Sequence, residues 1–180
     1  MYDQTLKLIA TFAERAPSPL LSLRLDTLFR NLAATTLAHE ASETEDRIWA
    51  LWMTHPNFAA ARVLDQAASD IAARRDDIAE TRLAKLLRAR PDFPEAWNKL
   101  ATLHYMQGRD EETLQEIHRT LQLEPRHFGA ICSFAEICRG RGECHSALFA
   151  FRIALRINPH LAQVARTVAD LGAGQEPTAH

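Results

Sequence analysis

Apolar side chains recur along the chain every three or four residues, the spacing of a helix with one buried face. Leu6, Ile9, Phe12 and Ala13 share such a face near the start. From Leu20 to about Leu37 the same stripe runs through Leu21, Leu25, Leu28 and Leu32, and Ile48, Leu51 and Trp52 carry it between Glu43 and Met53. Prolines divide the rest of the chain. Pro56, Pro91, Pro125 and Pro159 stand 35, 34 and 34 residues apart, and the last three close the phrases LLRARP, LQLEPR and LRINPH. Proline cannot continue a helix and pushes the residue before it out of the helical region, so this is a terminator repeated in register.

Alignment on the prolines brings other residues into columns. The leading helix of each segment carries a bulky column, Val63, Trp97 and Ile131, and a small one, Ala67, Ala101 and Ala135. The trailing helix carries Ala79, Thr113 and Ala147, then Leu83, Ile117 and Phe151. Antiparallel helices approach closely only where side chains are small, and bulky neighbours fill the grooves beside each crossing. The pattern predicts three helix pairs, residues 57–91, 92–125 and 126–159, within a repeat array spanning 57–159. Residues 1–56 form an N-terminal helical segment: an amphipathic helix, then a degenerate pair expected to cap the array. Residues 160–180 supply a capping helix (LAQVARTVADL) and a tail that frays from Gly172.

These columns carry a resemblance. Pro94 to Pro125 resembles the tetratricopeptide repeat at Trp97, Leu100, Ala101, Gly108 and Pro125. Phe128 to Pro159 resembles it at Phe134, Ala135, Gly142, Ala147, Phe151, Ala154 and Pro159. Ala60 to Pro91 matches less well: Arg74 stands in the place of the turn glycine, and Gln66 and Asp70 occupy places that are ordinarily apolar. The phrases EDRIWALW, AWNKLATLHY and EPRHFGA look like a group of small tetratricopeptide proteins common in proteobacteria. The resemblance covers about Glu45 to Leu161 and implies an all-α tetratricopeptide solenoid rather than any particular activity.

A formal net charge of −2 is too low for the broad basic surface of a general nucleic-acid binder. No apolar run approaches the roughly 20 residues of a membrane span, and the start of the chain, with an early Asp3, is a poor signal peptide, which points to the cytoplasm. Motifs for phosphate loops, nucleophile elbows, zinc proteases and dinucleotide folds are missing, so the expected protein is not an enzyme and needs no cofactor. Cys132, Cys138 and Cys144 raise one alternative, a thiol-based redox or metal sensor. Spacings of six turn successive thiols to different sides of a helix, which favours small buried cysteines over ligands. His127 and His160 each follow a closing proline and read as structural turn histidines. Arg82, Lys85 and Arg88 read as a solvated outer stripe. Trp49 and Trp52 share one helix face, expected to pack on the first repeat, with an exposed partner anchor as the alternative.

The resemblance also implies a place for a partner. In tetratricopeptide arrays the leading helices line a concave groove that holds a peptide or helix of another protein. The groove-facing places fall on Leu64, Ala68 and Ile71, on Asn98, Thr102 and Tyr105, and on Cys132, Glu136 and Arg139. Co-chaperones of this family grip a terminal carboxylate with Lys, Asn and Arg at places that here hold Leu64, Ala68, Gly129 and Ser133, none of which can pair with it. The chain is therefore expected to be an adaptor for a protein partner, without that clamp and without nucleic-acid or membrane partners.

Overall fold

A computed structural model describes residues 1–18 and 23–173 of the chain. Leu20, Leu21 and the tail beyond Ala173 lie outside those residues. The described residues form ten α-helices, with no strand among them. Three helix pairs follow the proline ruler: α4 (Phe58–Ala72) with α5 (Asp76–Ala89), α6 (Pro94–Met106) with α7 (Asp110–Leu123), and α8 (Phe128–Gly140) with α9 (Cys144–Ile157). The fold is an all-helical solenoid.

The columns explain the pairing. Ala67, Ala101 and Ala135 meet Ala79, Thr113 and Ala147 at the crossings, and none of the six is more than 2% exposed. Leu83, Ile117 and Phe151 fill the space beside them. Ala147→Leu should therefore cost about 1–3 kcal/mol by overpacking, read by urea unfolding; a change within about 0.5 kcal/mol, as at surface sites, would mean the register is wrong. Each pair turns on a left-handed residue, Arg74 (φ 57°), Gly108 (φ 71°) or Gly142 (φ 77°). The following amide then reaches back 2.9 Å to the carbonyl of Asp70, His104 or Cys138. Glycine adopts this conformation freely, whereas Arg74 does so against its Cβ.

The first repeat differs where it meets no predecessor. Ala96, Leu100 and Leu103 of α6, and Ala130, Phe134 and Ile137 of α8, are buried in the core. One repeat earlier, the same places of α4 hold Arg62, Gln66 and Ser69, all exposed. The first repeat thus closes its own end with a polar face, as a terminal repeat must. A second set of places runs through the interior of each pair. Asp70 faces Arg82 (2.9 Å) and His104 faces Glu116 (2.9 Å), while Cys138 and Ala150 occupy the matching places in an apolar third repeat. Arg82 is therefore not a member of a solvated stripe: its guanidinium also reaches Gln66 at 2.9 Å.

The N-terminal helices form as expected, but their address is the far end of the array. Helix α1 (Tyr2–Ala10) lies along α7 and α9 on the outer side, with Tyr2 5.3 Å from the Phe134 ring and Thr5 3.1 Å from His118. A short 3-10 turn, Phe12–Glu14, follows, and Ala13 is exposed rather than on the buried face. Arg15 then donates to the Leu121 and Gln122 carbonyls and the Ser18 amide to that of Leu123, satisfying groups that the end of α7 leaves open. Helices α2 (Leu23–Ala34) and α3 (Ala38–Trp52) pair and join the third repeat: Arg126 meets Asp26, and His160 meets the Leu32 carbonyl at 3.0 Å. Trp49 and Trp52 accordingly pack on α8, not on the first repeat. Helix α10 (Ala162–Ala173) lies on α9, at this same end of the array.

Candidate functional site

The leading helices α4, α6 and α8 carry the nine groove places, and the structure divides them in two. Toward the helix starts, Leu64 is fully buried and belongs to the core of the first pair. Asn98 is 6% exposed, and its amide donates to both oxygens of Glu95 at 3.3 and 3.4 Å. Cys132 packs against the core beneath α3. These three do not line an open channel: Leu64 is interior to the first pair, Asn98 is held by the buried Glu95, and Cys132 lies one turn beyond the start of α8, which Trp49 and Trp52 of α3 cover. Toward the helix ends, Thr102, Tyr105 and Arg139 are exposed and Ala68, Ile71 and Glu136 half-exposed. Tyr105 shows 43% of its surface, with Met106 beside it at 42%. Arg139 holds Glu136 at 2.7 Å on the neighbouring helix.

The covered half is built around two tryptophans. Trp49 stands 5.4 Å, ring to ring, from Phe128 and lies over Gly129, where a Cβ would come within 2.6 Å of its Cη2. Trp52 stacks flat on His127 at 4.0 Å and 10°. The Trp52 Nε1–H is buried without an acceptor among the described residues. Glu45, one turn before Trp49, accepts from Asn158 at 2.8 Å. His127 caps α8: its Nδ1 accepts the Ala130 amide at 3.1 Å, so Nε2 carries the hydrogen donated to Glu95 at 2.8 Å. Glu95 is 0% exposed and also takes Lys99 at 3.0 Å. Burial pushes its carboxyl up, but the hydrogen bond from His127 and the nearby cations outweigh burial and hold it below its ordinary value.

Sequence reasoning missed Glu95 and Asn158 as parts of this surface, and named Gly129 only as a place where a carboxylate clamp is lacking. A glycine in the first turn of an otherwise well-formed helix was the one available signal, since it weakens the helix unless something must approach closely.

The thiols are poor candidates for chemistry. Burial pushes Cys132 up to about 12, with Glu136 and Glu45 adding to it, and burial also raises Cys138. Thiolate is the reactive form, so both cysteines are held inert. All three are free, and among the described residues no cluster of His, Cys, Asp and Glu is arranged to hold a metal. Among the described residues no helix is long and apolar enough to cross a membrane.

No family model matches the chain. Over 136 residues it is 30% identical to a TPR repeat-containing protein of Rhizobium etli, an alignment covering 76% of this chain and 67% of that one. Among solved structures, the crystal structure of MamA protein is similar at a TM-score of 0.59 and 14% identity, covering 97% of this chain and 84% of that one. A single-site mutant of MamA gives 0.53 at 15% identity, over 84% and 85%. At such identities the likeness is one of fold.

Proposed function

The chain belongs to the tetratricopeptide-repeat proteins, and from that premise we propose that it is a non-catalytic adaptor holding a segment of another protein along the open half of its groove. One observation carries this reading. Tyr105, a large amphipathic side chain 43% exposed, stands among the groove places beside the exposed Met106, with a guanidinium on the next leading helix. Tyrosine and arginine are enriched among the residues that dominate binding energy, and an amphipathic ring contributes contact area at low entropic cost. Thr102 and Glu136 add polar groups suited to an extended peptide backbone.

Tyr105→Ala combined with Arg139→Glu should weaken partner capture by about 2 kcal/mol or more, roughly thirtyfold in affinity, while the melting temperature stays nearly unchanged. The partner is first identified by affinity capture from native lysate and mass spectrometry, then titrated against purified chain. Arg88→Glu on the exposed outer side is the control; Arg82 is unsuitable because it pairs with the buried Asp70. Binding lost in the control and kept in the groove variant would place the working surface on the outside of the solenoid.

A further inference from the structure

The half of the groove beneath α3 already contains a helix, and the way that helix is held specifies a ligand. Three contacts define the fit. The Glu45 carboxylate meets the Asn158 amide at 2.8 Å, and Asn158 is itself fully buried. Four residues on, Trp49 occupies the space left by the missing Cβ of Gly129. Three residues further, Trp52 lies flat on His127 and 5.1 Å from Phe128. Gly129 makes the arrangement specific. It sits in the first turn of α8, where alanine would favour the helix more, and the atom a side chain there would meet belongs to Trp49. The fit also has a defect: the Trp52 indole N–H is buried without an acceptor among the described residues, which an aromatic ring lacking that group would avoid.

We propose that this half-groove is a receptor for a partner helix bearing a carboxylate, an indole four positions later and a phenyl ring three positions after that, and that α3 is its resident occupant in cis. The proposal rests on the adaptor reading and deepens it. The incoming helix replaces α3, and its phenyl ring sits on His127 without the buried, unpartnered N–H. Because α3 is tethered, a free helix competes only for the fraction of chains in which it has lifted, so affinity in the intact protein is lower than the affinity of the bare surface.

The test uses full-length chain and a fluorescein-labelled peptide of residues 38–57, read by anisotropy. Trp49→Ala in the chain weakens the resident helix. It should raise peptide affinity about tenfold or more over wild type, as the competent fraction rises. A peptide carrying Trp52→Phe should bind tighter than its parent. Adding Gly129→Leu to the opened chain should abolish binding of both peptides; if that variant misfolds by circular dichroism, Gly129→Ala blocks the same contact with a single methyl. Hydrogen exchange reports independently whether α3 has lifted. A lifted α3 with no peptide binding, or binding indifferent to Gly129, overturns the proposal. So does dimerisation of the opened chain that excludes peptide, which would seat a second copy's α3 there. The Tyr105 and Arg139 variant reads the other half of the groove, so loss of partner capture there with no change in peptide binding, or the reverse, separates failure of this proposal from failure of the adaptor reading.

Discussion

Replacing Glu95 by alanine should lower stability by about 3–5 kcal/mol, the cost of removing one partner from a buried, charged network. Three donors converge on that carboxylate: the His127 ring, the Lys99 ammonium and the Asn98 amide. Their positions make it a junction, because His127 caps α8 and carries Trp52 of α3, while Glu95 and Lys99 belong to α6. With the carboxylate gone, a fully buried imidazole N–H is left without its acceptor, and the partly exposed Lys99 ammonium loses its partner. Glu95→Gln should fall between the two, since it keeps an acceptor for His127 and loses the charge that Lys99 needs. The acid limb follows from the depressed carboxyl. Its folded value lies below the ordinary 4.5, so its contribution is present above about pH 4.5 and is lost as pH falls through the folded value. Urea unfolding at pH 7 decides the matter; an alanine variant within about 0.5 kcal/mol of wild type would show that the network contributes nothing net.

The opposite slope should come from Glu116. Burial pushes its carboxyl up to about 7, with the charge and hydrogen bond of His104 pulling the other way. A folded value above the ordinary 4.5 means that folding favours the protonated form. That contribution is complete below about pH 4.5 and is lost as pH rises through 7. Between pH 5 and pH 8 the wild type should lose on the order of 3 kcal/mol through this one group, at 1.36 kcal/mol per unit. Glu116→Gln, nearly isosteric and without a proton to lose, should flatten the curve over that window and leave the variant the more stable at pH 8. Glu80, held low first by its hydrogen bond from Arg109, acts only at acid pH and does not interfere. A variant whose stability falls as steeply as the wild type's would assign the slope to another group.

The two networks mark how much could be read from the chain. Helix pairs, turns and crossings were legible because their signals are local: a proline, a glycine or Arg74, and small residues at fixed spacing. The polar residues at apolar places were visible too, as Gln66 and Asp70, but their meaning needed the third dimension. Arg62, Gln66 and Ser69 are polar because the array ends there, and Asp70 is tolerated because Arg82 reaches it. The address of α3 was not legible. An apolar stripe through Ile48 and Trp52 announces a buried face without naming what buries it, and the surface it found begins at His127, 75 positions after Trp52. Three of the nine groove places, Leu64, Asn98 and Cys132, are covered for reasons of the same kind. Repeat position carries no information about the core that takes in Leu64, the Glu95 carboxylate that holds Asn98, or the helix that folds back over the start of α8.

Repeat solenoids ordinarily fold through contacts between neighbours, which keeps sequence separation short and folding fast. Here the packing of α1, α2 and α3 on the second and third repeats adds closures of another order. Thr5 meets His118 and Glu45 meets Asn158 across 113 residues each, and Leu32 meets His160 across 128. During synthesis helices α1 to α3 emerge before the repeats they pack on and wait for that surface on the order of ten seconds, at about 5–20 residues per second. During that interval Ile9, Leu25, Phe29, Ile48 and Trp52, all buried in the finished fold, lack the repeat surface that completes their burial. The nascent chain is thus exposed to chaperone capture at these three helices, and that exposure ends only when the third repeat has been made.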